Sequence, residues 1–137
     1  MKRRQLFRLA LVAAAAMPIH VGALVLMTND LPPNTTKSLL KVSAGKVFKL
    51  NSAVISVAGC ATAFDVIYRQ RILKSGKPIT ADLSIGVGHS FQITFDPAIT
   101  YAAGNVLAVQ NADNSGYTCS MNFTIQGTSC SAGATGC

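Results

Sequence analysis

The chain has 137 residues, with 12 Lys and Arg, five Asp, no Glu and a formal net charge of +7. Half of its residues are hydrophobic and 12% are charged; without Glu there is little to solvate the outer faces of long helices, which disfavours a helical bundle and suits an all-β protein. Four of the cations, Lys2, Arg3, Arg4 and Arg8, crowd the start, and the remaining eight against five Asp leave +3, too mild for the basic stripe that nucleic acid requires.

The first element is a leader. Its basic start is followed by a wholly apolar, alanine-rich run from Leu9 to Ala16, then Pro18 and the small residues of Val21, Gly22, Ala23, which is the order of parts in a secretory signal helix cleaved after Ala23. The run RRQLFR resembles a twin-arginine export signal over residues 1–23; Lys2 stands where Ser or Thr is common and Leu6, Phe7 are reversed, so the general secretory route fits equally. The alternative is a membrane anchor kept from Leu6 to Met27, against which Pro18 and His20 argue. Either way the chain is expected to be exported, to the periplasm, the cell surface or the extracellular space.

Residues 24–37 read as an extended N-terminal segment and a linker. LVLMTND is apolar, and if retained it offers a strand to a neighbouring copy's open sheet, by backbone pairing with alternate side chains setting register. Asn29 to Thr36 contains Pro32 and Pro33 and cannot join a central strand.

Residues 38–127 carry period-two patterning, which means a sheet with one buried and one wet face. In KVFKLNSAVISV, Phe48 and Leu50 share one parity and Ala53, Ile55 and Val57 the other, so a bulge near Asn51 and Ser52 is expected to keep both groups inward. AFDVIYRQRIL and the run around NVLAVQNA are further strands. In LSIGVGHSFQITF, Leu83, Ile85, Val87, Phe91, Ile93 and Phe95 share a face, and in YTCSMNFTIQ so do Tyr117, Cys119, Met121, Phe123 and Ile125. SAGK, KSGKP, FDPA, YAAGN and NADNSG signal turns. The expected fold is an antiparallel β-sandwich of about seven or eight strands. Its order of elements, a strand after SAGK, a basic hairpin, a strand after an Ala-Gly turn and a final strand ending in Gly, resembles small jelly-roll modules of fibre heads, adhesins and secreted binding proteins. That resemblance transfers no functional residues.

Residues 128–137 form a Gly-, Ser- and Cys-rich tail. Four cysteines in an exported chain allow three full disulfide pairings; Cys60 with Cys119, tying two strands, and Cys130 with Cys137, closing a small terminal loop, are favoured. No C-x-x-C spacing supports a metal site, and none is assigned.

Candidate sites are few. His89 is the only histidine beyond the leader; it is flanked by Gly88 and Ser90, which places it at a bend between strands, and no G-x-S-x-G turn surrounds any serine. A lone histidine also rules out a type 1 copper site. The five Asp are scattered singly, and Asp96 and Asp113 suit turns. No catalytic residue and no cofactor is therefore assigned. Arg69, Arg71, Lys74 and Lys77 around the Ser75, Gly76 turn are the sole concentrated charge, a candidate site for an anionic glycan or cell-surface partner or else a solvated hairpin. These features point to a non-enzymatic structural or adhesive subunit that self-associates through its N-terminal segment, or alternatively to a monomeric binding module for an anionic glycan or small ligand.

Overall fold

The structure is a computed structural model that describes residues 22–60, 68–80, 83–85, 89–112, 119–135 and 137. Residues 1–21 of the expected leader and the NADNSG segment from Asp113 lie outside the described residues. Nine strand segments follow in order: β1 Gly22–Leu31, β2 Thr35–Lys41, β3 Lys46–Cys60, β4 Tyr68–Lys74, β5 Lys77–Pro78, β6 Leu83–Ile85, β7 Ser90–Tyr101, β8 Val106–Asn111 and β9 Cys119–Ser131.

The strands make an antiparallel β-sandwich, with sheet A in the order β1-β9-β3-β7 and sheet B in the order β2-β8-β4 flanked by β5 and β6. β5 pairs with Leu73 and Lys74 while β6 pairs with Tyr68 to Gln70. Both lie along the side of β4 away from β8, as one broken strand, so each sheet is four strands wide.

The core forms where the alternation of each strand meets that of the facing sheet. In β9, Cys119, Met121, Phe123 and Ile125 are fully buried while Ser120, Asn122 and Thr124 between them are not. In β3 the parity switches as its sequence requires: Leu50 and Ala53 are both fully buried, and the pairing with β7 and with β9 shifts between Leu50 and Ser52. Ile72 of β4 and Leu107 and Val109 of β8 close the core from sheet B. Gly127 of β9 lies beneath the Phe48 ring, where a Cβ would run into that ring and the Lys49 carbonyl oxygen.

Three expectations are corrected. LSIGVGHSFQITF does not line one sheet face: as the bend expected at His89 allows, Leu83–Ile85 belongs to sheet B and Ser90–Tyr101 to sheet A. Period two records which residues face a core, and one strand or two strands of different sheets satisfy it equally. FDPA does not end a strand; it is an outward excursion within β7, where residues 95–98 stand opposite Asn51 alone. β7 is an edge strand, so the missing N–H of Pro97 deprives no second neighbour. Lastly, residues 29–36 are not a linker outside the sandwich. β1 runs on to Leu31, β2 begins at Thr35, and only Pro32, Pro33 and Asn34 turn between them, Asn34 with a φ of 54°. The two prolines thus lie between two edge strands and in neither of them, and the sandwich reaches from Gly22 to Ser131 rather than from 38 to 127.

Candidate functional site

Two surfaces have geometry that bears on function: the N-terminal edge of sheet A and the end of the sandwich at which the hairpin tips gather.

β1 is hydrogen-bonded to β9 from Gly22↔Ser129 to Leu31↔Met121, with a register shift between Thr28 and Leu31, and among the described residues no strand pairs with its other edge. Its inward side chains, Leu24 and Leu26, pack against the core, and Leu31 is buried within it. Its outward side chains, Val25 at 55% and Met27 at 61% exposure, are among the most exposed large apolar groups described. The strand is fastened near its C-terminal end. Asp30 N donates to Asn122 Oδ1 at 2.9 Å, and the buried Asn111 donates through Nδ2 to Leu31 O at 3.0 Å and to Cys119 O at 3.1 Å. Asn111 Oδ1 in turn accepts from the buried Gln70 Nε2 at 3.2 Å. One amide therefore joins β1, β4, β8 and β9, and its own buried polar atoms are satisfied.

The basic residues do not form one focus. Arg69 and Arg71 alternate with the buried Gln70 and Ile72, which puts them on the outer face of sheet B. Lys74 and Lys77 pair across the β4–β5 hairpin, whose central residues Ser75 and Gly76 have φ of 48° and 80°, the positive values of a type I′ turn. Lys74 leans toward sheet A: its Nζ donates to Thr100 O at 2.6 Å and lies 5.6 Å from the Tyr101 ring centroid. Tyr101 is fully buried, tilts against Phe48 with centroids 6.0 Å apart, and donates its hydroxyl to Leu73 O at 3.3 Å, a strut between the sheets. Burial holds its phenol pKa well above the ordinary value.

The register brings two further lysines to the same end as Lys74 and Lys77. Lys41 of β2 pairs with Val106 of β8, whose neighbour Leu107 pairs with Lys74, and Lys46 opens β3 just past the turn that follows Lys41. Sequence reasoning missed both. The available signal was the likeness of KVSAGK to KSGK: each tip has a lysine on either side of its turn.

Cys130 and Cys137 are joined, with Cα atoms 6.0 Å apart, and Cys119 is disulfide-bonded with the backbone of Cys60 directly opposite it in the β3–β9 register. His89 is exposed at the residue before β7. Asp96 is exposed within the β7 excursion, roughly 20 Å further along an extended strand, so the two do not form an acid–base pair. Asp82 lies outside the described residues. Among the described residues no three His, Cys, Asp or Glu side chains gather as metal ligands. Compared with models of protein families and with curated proteins, the chain matches none.

Proposed function

We propose that the protein is an exported, non-enzymatic structural or adhesive subunit that assembles with copies of itself by exchanging β1. The observation that carries this reading is the position of β1: an edge strand with apolar inward side chains, paired to one neighbour among the described residues and joined to the rest by a turn of Pro32, Pro33 and Asn34. If that turn opens, Leu24, Leu26 and Leu31 make the same contacts with β9 of a second copy. Exchange then gains and loses identical contacts, and the balance is set by the hinge and by protein concentration. The basic, alanine-rich leader and the oxidised cysteines support export, since disulfides persist in oxidising compartments.

A cysteine pair tests the exchange. Val25 and Gln126 are register partners on the outer face of sheet A. In V25C/Q126C a bond within one chain locks β1 at home, whereas a bond between chains records exchange. Disulfide-linked dimers and longer chains on non-reducing gels, growing with concentration and accompanied by rising mass in light scattering, are expected. Crosslinks confined to single chains, with monomeric mass at every concentration, overturn the reading and leave the monomeric binding module.

A further inference from the structure

We infer that the end of the sandwich carrying Lys41, Lys46, Lys74 and Lys77 is a docking platform for an acidic polysaccharide. The inference is independent of strand exchange, because none of these lysines lies in β1.

The platform is built from three turns that hold one another. Val42 N donates to Asn105 O and Gly104 N to Val42 O, each at 2.9 Å, clasping the β2–β3 turn to the β7–β8 turn. Ser75 joins the β4–β5 tip to them: its N donates to Val106 O at 2.8 Å, and its Oγ accepts from Val106 N at 3.2 Å and from Asn105 Nδ2 at 3.4 Å. Asn105 Oδ1 accepts from Ala102 N at 2.9 Å, and Ala132 N donates to Gly45 O at 2.9 Å, so the segment after β9 is fastened as well. A charged ligand meeting this surface orders side chains only, which lowers the entropic cost of binding.

Strand spacing sets the geometry of the charges. The Lys41 and Lys74 backbones flank β8 from its two sides, about 10 Å apart, and the Lys77 backbone stands about 5 Å beyond that of Lys74. Lys46 lies behind this row at the start of β3, its Nζ 3.4 Å from Ser131 Oγ. The side-chain carboxylates among the described residues are elsewhere: Asp30 in β1 near Asn122, and Asp96 in the β7 excursion. Beside Lys41 is a shallow hollow of about 340 Å³ lined by Val42, Ser43, Ala44, Ala103 and Gly104, whose small side chains leave room for a sugar-sized group. A row of cations beside a hollow suits a chain of sugars carrying regularly spaced anions, each accepting charge-assisted hydrogen bonds from an ammonium. A lipid surface is disfavoured because the exposed large apolar side chains, Val25, Met27 and Phe91, belong to β1 and to the opposite end of β7 and do not rim this platform.

The purified protein is titrated with a heparin hexasaccharide and with an oligogalacturonate, and sedimented with phosphatidylglycerol vesicles. Binding to at least one oligosaccharide is expected. K41Q/K46Q/K74Q/K77Q weakens it roughly tenfold or more, since each exposed charge accounts for a factor of a few, while R69Q/R71Q leaves it within about twofold of the parent. The milder K41Q/K77Q, which changes only exposed side chains, weakens it by a smaller factor and decides the matter if circular dichroism shows the quadruple variant unfolded. The inference is overturned by binding to neither sugar, by binding to vesicles alone, by an equal loss in R69Q/R71Q, or by unchanged affinity in the folded lysine variants.

Discussion

β1 and β2 follow one another in sequence, and each borders a different sheet, yet their edges are built in opposite ways. β1 has no charge from Gly22 to Asn29 and displays Val25 and Met27. β2 carries Lys37 and Lys41 and breaks its pairing with β8 between Ser38 and Leu40. Lys37 stands opposite the buried Val109, so its backbone position directs it toward the core side, while its side chain is exposed at the rim. A charge at an inward position and a bulge are two devices that stop an edge from accepting a further strand; β1 also shifts register, between Thr28 and Leu31, so the inward charge is what sets the β2 edge apart. On the proposed reading, the contrast assigns pairing between copies to the β1 border of sheet A rather than to the β2 border of sheet B.

The largest break in this contrast is expected from Gly127, which sits in register between Leu24 of β1 and Leu50 of β3. G127V drives a branched side chain into the Phe48 ring and the Lys49 carbonyl; a loss of about 3 kcal/mol in urea unfolding is expected. Hydrogen exchange should rise at Leu24 to Leu26 before it rises in β2, because β9 is the partner of β1 and not of β2. Unfolding at the parental midpoint would mean that β9 can move aside. Next comes N111A, which reaches both borders: Asn111 is the ladder partner of Thr35 and the side-chain donor to Leu31 O. It leaves Leu31 O and Cys119 O without this donor and Gln70 Nε2 without its acceptor, at an expected cost of about 2 kcal/mol in the same measurement.

Y101F works at the opposite end and loosens the sheets from each other rather than either border. Loss of the bond to Leu73 O is expected to cost about 1 kcal/mol. Its pH dependence has a definite sign. The folded chain holds the phenol proton above the ordinary value, while in the unfolded chain the phenol ionises near pH 10. The contribution is therefore fully present below about pH 10 and is lost as pH rises past it. Urea midpoints at about pH 9 and about pH 11 should fall further apart in the parent than in Y101F, and equal differences would show that burial of this phenol has no such effect.

How much of this was legible varies with what each residue's pattern encodes. Alternation in β9 and the parity switch from Phe48 and Leu50 to Ala53 and Ile55 carried those strands and the bulge at Asn51, since burial follows directly from parity. Gln70 and Asn111 share the inward parity of Ile72 and Val109 although they are polar, and their bond to each other and the carbonyls facing Asn111 account for their burial. The division of residues 83–95 between sheets, and the meeting of Lys41 and Lys46 with Lys74 and Lys77, depend on strand order. Strand order is a long-range property that no local spacing records, which is why Arg69 and Arg71 were grouped with lysines that belong to another surface.

The finest test concerns Lys37 itself. K37V replaces a charge at the rim with a β-branched side chain of strand-forming character, and Lys37 has no buried contact to lose, so unfolding stability should stay within about 0.5 kcal/mol of the parent. What changes is the border. With that inward charge gone, β2 is protected by its bulge and by Lys41 at its end, and self-association measured by sedimentation velocity should rise with concentration above that of the parent. M27K adds the converse change to β1, putting a charge on its uncharged stretch from Gly22 to Asn29, and should lower self-association. If K37V associates no more than the parent while M27K still reduces assembly, the bulge and Lys41 suffice to close the β2 border. If neither variant moves the distribution, charge does not distinguish the two borders and the contrast between them loses its physical basis.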